Sequence, residues 1–168
     1  LLQGSKLPPV TIVIAARNEA ANIEKCLLSV YNCDYPKNEI EIILVDDHSS
    51  DDTVEVAKAL NIPYLTVYQS PNSGKKAAIE YAIKLSKNEC IICTDADTVV
   101  SQNWIKGHVG QSLNHHFTTG IIRYKADHNL LGCLQVLDNL SSMCMTAYGI
   151  DSRAFYMANG ATMSYRRS

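Results

Sequence analysis

The stretch VTIVIAARNEAANIEKCLLSV, residues 10–30, decides the architecture. Its first part, Val10 to Ala15, is a short apolar run rich in β-branched residues and reads as a strand buried on both faces. From Ala20 to Tyr31 the apolar positions Ile23, Leu27, Leu28 and Tyr31 fall at helical spacing. A buried strand followed directly by an amphipathic helix is the repeating unit of a parallel sheet.

Outward from this stretch the unit recurs. Ile40 to Val45 predicts a second strand and Thr53 to Leu60 a helix capped by Ser50, Asp51 or Asp52. Pro63 ends that helix, and Tyr64 to Tyr68 reads as a third strand. Lys75 to Ser86 is helical, and Cys90 to Thr94 is a fourth strand. Residues 101–114 are helical in pattern despite Gly107 and Gly110. Thr119 to Tyr124 is a further strand. Leu130 to Tyr148 is an amphipathic helix with a Met-bearing end, for which core packing is the expectation and Gly149 the expected C-cap. The alternation predicts an α/β fold, a Rossmann-like, mostly parallel sheet with helices on both faces, formed by residues 1–168 as a single domain.

Composition narrows the function. Apolar residues make up 46% of the 168-residue chain and charged residues 19%, which excludes a disordered tail. The net charge of −2 argues against nucleic-acid binding, which needs a basic surface. No apolar run reaches the ~18 residues of a membrane span. Of the cysteines, Cys90 and Cys93 form one C-x-x-C without the second pair that a zinc site requires, so buried thiols in a reducing compartment are expected.

Ligands of such sheets bind outside the carboxyl ends of the strands. Those ends carry Arg17-Asn18-Glu19, Asp46-Asp47-His48 and Asp95-Ala96-Asp97. Carboxylates converging on one edge repel unless a cation or a polyhydroxyl ligand offsets them. Asp95 and Asp97, one residue apart after an apolar strand, offer hard oxygen ligands suited to Mg²⁺ or Mn²⁺; the alternative is that one of them caps the next helix. Asp46 and Asp47 either recognise a base or ribose, or anchor the loop and cap the following turn. Gly74-Lys75-Lys76 opens a helix and offers a weak phosphate signal; the alternative is an exposed helix start with solvated lysines. His48 lies beside this edge; His115 and His116 read as a solvated pair, and Trp104, Met143, Met145 and Met157 as packing residues. No G-x-G-x-x-G or G-x-S-x-G is present, which argues against a nicotinamide enzyme and a serine hydrolase.

Five segments in order, VTIVIAARNEAANIEKCLLSV, EIILVDDHSSDDT, NSGKKAAIEYAI, CTDADTVV and ANGATMSYRR, resemble family 2 glycosyltransferases of the GT-A fold. The resemblance implies transfer of a sugar, of hexosyl type, from a nucleotide-diphosphate sugar to an acceptor hydroxyl with inversion, dependent on Mn²⁺ or Mg²⁺. It places Ala15, Arg17 and Glu19 at the base pocket, with Asp47 bonded to the base (uracil the expected one) and Asp46 supporting the loop. It brings Lys75 to the base or diphosphate, Asp95 to ribose or metal, and Asp97 to the metal. Asn159 and Gly160 fall on the sugar and acceptor side. Two departures stand out. Ala15 replaces the family's usual proline, and the acidic catalytic base is expected beyond Ser168, since neither Asp138 nor Asp151 matches its position. The resemblance further implies a cytoplasmic site of action, a role in cell-envelope polysaccharide and possible membrane attachment of a longer chain. The rival readings are a non-catalytic sugar-nucleotide binding module, a nucleotidyltransferase and a phosphoacceptor receiver domain.

Overall fold

A computed structural model describes residues 7–112, 115–120, 122, 130–152 and 161–167. Its elements are β1 (Val10–Ala16), α1 (Ile23–Tyr31), β2 (Ile40–Asp46), α2 (Thr53–Ala59), β3 (Leu65–Gln69), α3 (Lys75–Leu85), β4 (Cys90–Asp95), α4 (Trp104–Ser112), β5 (Phe117–Thr119), α5 (Leu130–Asp151) and β6 (Thr162–Arg166). They build one sheet in the order β3-β2-β1-β4-β6-β5. β3, β2, β1 and β4 run parallel, whereas β6 is antiparallel to both β4 and β5.

Alternation along the strands divides the core into two layers. Ile12 and Ile14 of β1, Ile42 and Leu44 of β2 and Ile92 of β4 face one side, where they meet Ile23, Leu27 and Val30 of α1, Ala57 of α2, and Ile105 and Val109 of α4. Val13, Ile43, Val45, Ile91 and Cys93 face the other side, against Ala78 and Ala82 of α3. Helices therefore cover both faces, as the sequence predicts. The small alanines of α3 let that helix lie close to the sheet. Each fully buried Ile or Leu contributes roughly 1.5–3 kcal/mol of transfer free energy.

The parallel register matters for everything that follows. Ala16 pairs with Asp46, and Ala15 pairs with Asp95. Three strands thus end level with one another, and their loops open on a single edge.

The structure departs from the sequence reading in several places. α1 starts at Ile23 rather than Ala20, because residues 19–22 form a turn in which the Glu19 carbonyl accepts the N–H groups of Asn22 and Ile23. The strand expected at Thr119–Tyr124 is observed at Phe117–Thr119, and most of residues 121–124 lie outside the described residues. β6 was not foreseen: TMSYR lies beside β4 from Thr94↔Thr162 to Cys90↔Arg166. Gly149 does not cap α5, which continues to Asp151. The largest correction concerns packing. Leu130, Leu131, Leu134, Leu137, Leu140, Met145 and Tyr148 of α5 are exposed, so its apolar positions do not join the described core. Cys133 and Cys144 on the same helix are exposed too, whereas Cys26, Cys33, Cys90 and Cys93 are buried free thiols. No helix among the described residues is long and apolar enough to cross a membrane.

Candidate functional site

Two loops at the strand ends are latched to each other. Asn18 and His48 adopt left-handed backbone, with φ of 56° and 59°, which is uncommon outside glycine and suits short polar side chains that bond locally. Asn18 shows that logic: its Oδ1 accepts the Ser50 N–H at 2.8 Å, and its own N–H donates to Ser49 Oγ at 2.9 Å. Glu19 N–H donates to Thr53 Oγ1 at 2.8 Å, and Ala20 N–H to Asp51 Oδ2 at 3.1 Å. Asp51 also accepts the Thr53 N–H at 3.1 Å. Its carboxyl is held below the usual range by the Thr53 hydroxyl bond and these backbone donors. Of the three cap candidates, Asp51 makes these bonds, while Asp52 at the cap position makes no side-chain cap bond.

A pocket of about 220 Å³ opens beside these loops, lined by Ala15, Ala16, Arg17, Glu19, Asp47, Lys75, Asp95, Ala96 and Asp97. The structure therefore brings together every described candidate residue except Asp46. Asp46 is buried behind the pocket, and both its carboxylate oxygens lie within 3.2–3.3 Å of the Ser49 N–H, so it anchors the loop. Asp47, also buried, caps no turn in its own loop. Its Oδ1 accepts the Gly74 N–H at 2.8 Å, tying the end of β2 to the start of α3. Gly74 needs its φ of +112° to make that approach. Arg17 Nη1 stands 3.7 Å from Asp47 Oδ2, and His48 Nδ1 stands 3.5 Å from Asp47 Oδ1, outside the pocket lining. Lys75, the first residue of α3, reaches across to Asp95 Oδ1 at 2.7 Å. Asn159, Gly160 and Met157 lie outside the described residues.

Asp97 is exposed in the turn after β4, and α4 begins only at Trp104, so the D-x-D does not serve as a cap for that helix. Beneath it, Cys26 of α1 donates its S–H to the Asp95 carbonyl at 3.4 Å. Burial, and then the charges of Asp97, Asp95 and Glu19, push that thiol up to about 12, so it stays protonated and inert.

No group of three or more His, Cys, Asp or Glu side chains among the described residues could enclose a metal. A pair of carboxylates at the mouth of an open pocket is nevertheless the donor set that Mg²⁺ and Mn²⁺ use when water and phosphate oxygens complete the shell. Asp95 already takes a cation, the Lys75 ammonium. The residues fit such an ion.

A second polar cluster escaped the sequence reading. His108 of α4 is buried between α4 and the β5–β6 pair. Its Nε2 lies 3.1 Å from Thr162 Oγ1, and its Nδ1 lies 3.0 Å from Ser164 Oγ and 3.3 Å from Thr118 Oγ1. Trp104 Nε1–H donates to the same Thr162 Oγ1 at 3.0 Å, leaving the Thr162 proton for His108 Nε2. That arrangement suits a neutral ring with its proton on Nδ1, and burial pushes the His108 pKa down to about 4. Gly120 is pressed against this cluster: a Cβ there would stand 2.5 Å from Thr162 Oγ1. The only forewarning in the sequence was the pair of small hydroxyl residues two apart in β6, Thr162 and Ser164.

The sequence model of Glycosyl transferase family 2 matches residues 11–135, well over half of the chain. The chain belongs to this family. It is 33% identical over 105 residues to glycosyltransferase AglE of Haloferax volcanii, covering 61% of this chain and 34% of that protein. It is 30% identical over 142 residues to poly-beta-1,6-N-acetyl-D-glucosamine synthase of Staphylococcus aureus, covering 81% of this chain and 34% of that protein. The chain thus spans about a third of the length of these relatives. Among solved structures, S. aureus TarS 1–349 superposes with a TM-score of 0.60 at 26% identity, over 72% of this chain and 37% of that one. It has also been solved with UDP-GlcNAc. The mannosyltransferase PcManGT of Pyrobaculum calidifontis, in complex with GDP-Man and Mn²⁺, superposes with a TM-score of 0.71 at 21% identity, over 97% of this chain and 46% of that one. The fold of this family 2 member is of the GT-A type. The receiver reading falls with it: β1, which a receiver would lack ahead of its acidic pair, is flanked here by β2 and β4.

Proposed function

We propose that these residues form the donor-binding part of a sugar transferase that uses a nucleotide-diphosphate sugar, of the UDP-sugar class, with Mn²⁺ or Mg²⁺. The observation that carries this reading is the pocket itself. Arg17, Glu19, Asp47, Lys75, Asp95 and Asp97 come from four separate segments and meet at one strand edge. TarS, 26% identical, has been solved with UDP and with UDP-GlcNAc, which supports a uridine nucleotide.

The roles follow from chemistry. Asp47 keeps one carboxylate oxygen on Gly74 and presents the other near Arg17, where it can accept the imide N–H of uracil. Ala15 and Ala16 give the base a flat wall without side-chain bulk. The start of α3 and the Lys75 ammonium face the pocket with positive charge, as a diphosphate requires. Asp97, with Asp95, would hold the divalent ion, which when bound supplies Lewis-acid stabilisation of the leaving diphosphate. Asn159 and Gly160 remain assigned to the sugar and acceptor side. Transfer proceeds with inversion, and neither Asp138 nor Asp151 is assigned as its general base. Action at the cytoplasmic face of a membrane, on an acceptor of envelope polysaccharide type, completes the proposal; the poly-beta-1,6-N-acetyl-D-glucosamine synthase relative supports only the polysaccharide part of it.

Calorimetric titration with UDP in the presence of Mn²⁺, and again with EDTA, tests the reading. Manganese-dependent binding that disappears in Asp97→Asn is the expected result. Absence of binding by the folded chain overturns it.

A further inference from the structure

Lys75 is placed where a cation should not be left alone. It is the first residue of α3, where the helix end is already positive, and a lysine there is disfavoured unless an anion faces it. In this structure the anion is Asp95, 2.7 Å from the ammonium. The neighbouring Lys76 behaves differently: it is 92% exposed and lies 3.8 Å from Glu80 on its own helix, away from the pocket. The Lys75 backbone has little freedom to drift, because the residue before it is tied to Asp47 through the Gly74 N–H. The ammonium therefore sits inside the pocket, on one of the two carboxylates that would hold a divalent ion.

We propose that Lys75 is an internal counter-ion that couples the two ligands of this site, releasing Asp95 to the divalent cation as the nucleotide diphosphate draws the ammonium away. This rests on the reading of Asp95 and Asp97 as the metal carboxylates. The physical argument is one of charge. Asp95 Oδ1 cannot keep the ammonium and accept a divalent ion on the same side without bringing like charges together. With no diphosphate present, every other carboxylate of the pocket is already engaged: Asp97 would share the incoming ion, Asp47 accepts from Gly74 and faces Arg17, and Glu19 accepts from the Asn22 side-chain amide at 2.9 Å. A diphosphate supplies that second anion. Metal alone must compete with Lys75, whereas metal and nucleotide together satisfy every charge. By linkage the enhancement is the same in both directions: nucleotide tightens metal as much as metal tightens nucleotide. Lys75 thereby keeps the pocket from filling with a bare divalent ion that would have no substrate to act on.

Free Mn²⁺ read by electron paramagnetic resonance during titration, with and without UDP, tests this on the present chain. Without UDP, Lys75→Met should bind Mn²⁺ about three- to tenfold more tightly than the parent, the gain being limited by the solvent exposure of the pair. The same variant should lose most of the enhancement that UDP gives the parent. Lys75→Arg should keep the parental pattern, and Lys76→Met, which removes the same charge outside the pocket, should match the parent. Mn²⁺ affinity of Lys75→Met no tighter than the parent's in the absence of UDP, or an undiminished UDP enhancement, overturns the coupling. A parent that binds no Mn²⁺ even at saturating UDP overturns the donor-site reading itself, and the coupling with it. Should Lys75→Met fail to fold, Lys75→Gln carries the same comparison.

Discussion

The parallel half of the sheet and the antiparallel corner are held together by different physics. β3, β2, β1 and β4 are cemented by aliphatic side chains packed on both faces. The β5–β6 corner is fixed to α4 by a histidine, a tryptophan and hydroxyls, with His108 and Thr162 at the centre. Beyond the corner, α5 presents leucines to solvent. The apolar half is indifferent to acid, because the thiols in its packing, Cys26 and Cys93 among them, are pushed up by burial and stay protonated. The corner has a titratable ring at its heart, whereas the pocket opens at the strand ends of the parallel half, one residue beyond the Thr94–Thr162 pair that joins β4 to β6.

The largest expected effect lies in the apolar half. Ile12 is fully buried in the central strand, so Ile12→Ala should cost about 3–4 kcal/mol, read as a shift in the urea midpoint at unchanged slope. A loss below about 1 kcal/mol would break the contrast from that side. Acid should strike the corner next. The folded His108 pKa of about 4 lies below the usual 6.5, so the unfolded chain binds more protons between these values. Stability is therefore intact above pH 6.5 and falls as pH drops toward 4, by up to roughly 3 kcal/mol. Urea midpoints at pH 7 and 4.5 should show this slope, and His108→Gln should flatten it. At the pocket, Asp97→Asn should weaken manganese-dependent UDP binding at least about tenfold, while its exposed position holds the stability change within about 0.5 kcal/mol. Smallest of all, Leu137→Gln on α5 should leave stability within about 0.5 kcal/mol, since Leu137 is 62% exposed. A loss above about 1 kcal/mol would mean that α5 packs as a core helix after all.

The same contrast separates what the sequence disclosed from what it hid. Strands buried on both faces are written as unbroken apolar runs, so IEIILV and CIIC could be read directly, and in parallel register their ends had to align. That made the meeting of Arg17, Asp47 and Asp95 legible in advance, whereas Lys75, at the start of α3, was brought there only by the family resemblance. It did not reveal that Lys75 pairs with Asp95, because a side chain across a strand edge has no sequence spacing. β6 was hidden because TMSYR alternates hydroxyls with larger groups and its inward face is polar: Ser164 is fully buried against His108 rather than against aliphatics. A polar stripe looks like an exposed strand or a tail until its partner is known. α5 misled in the opposite direction, since helical apolar spacing announces a face to be covered but not whether the covering surface is among the residues at hand.

The exposed helix also decides how its own openings can be watched. Between Leu130 and Asp151 there is no lysine and no arginine. Trypsin is therefore blind to this element however often it unravels, and a tryptic time course would report a resistant segment. Chymotrypsin, which cuts beside Tyr148 and the surface leucines, would register each local opening long before the sheet yields.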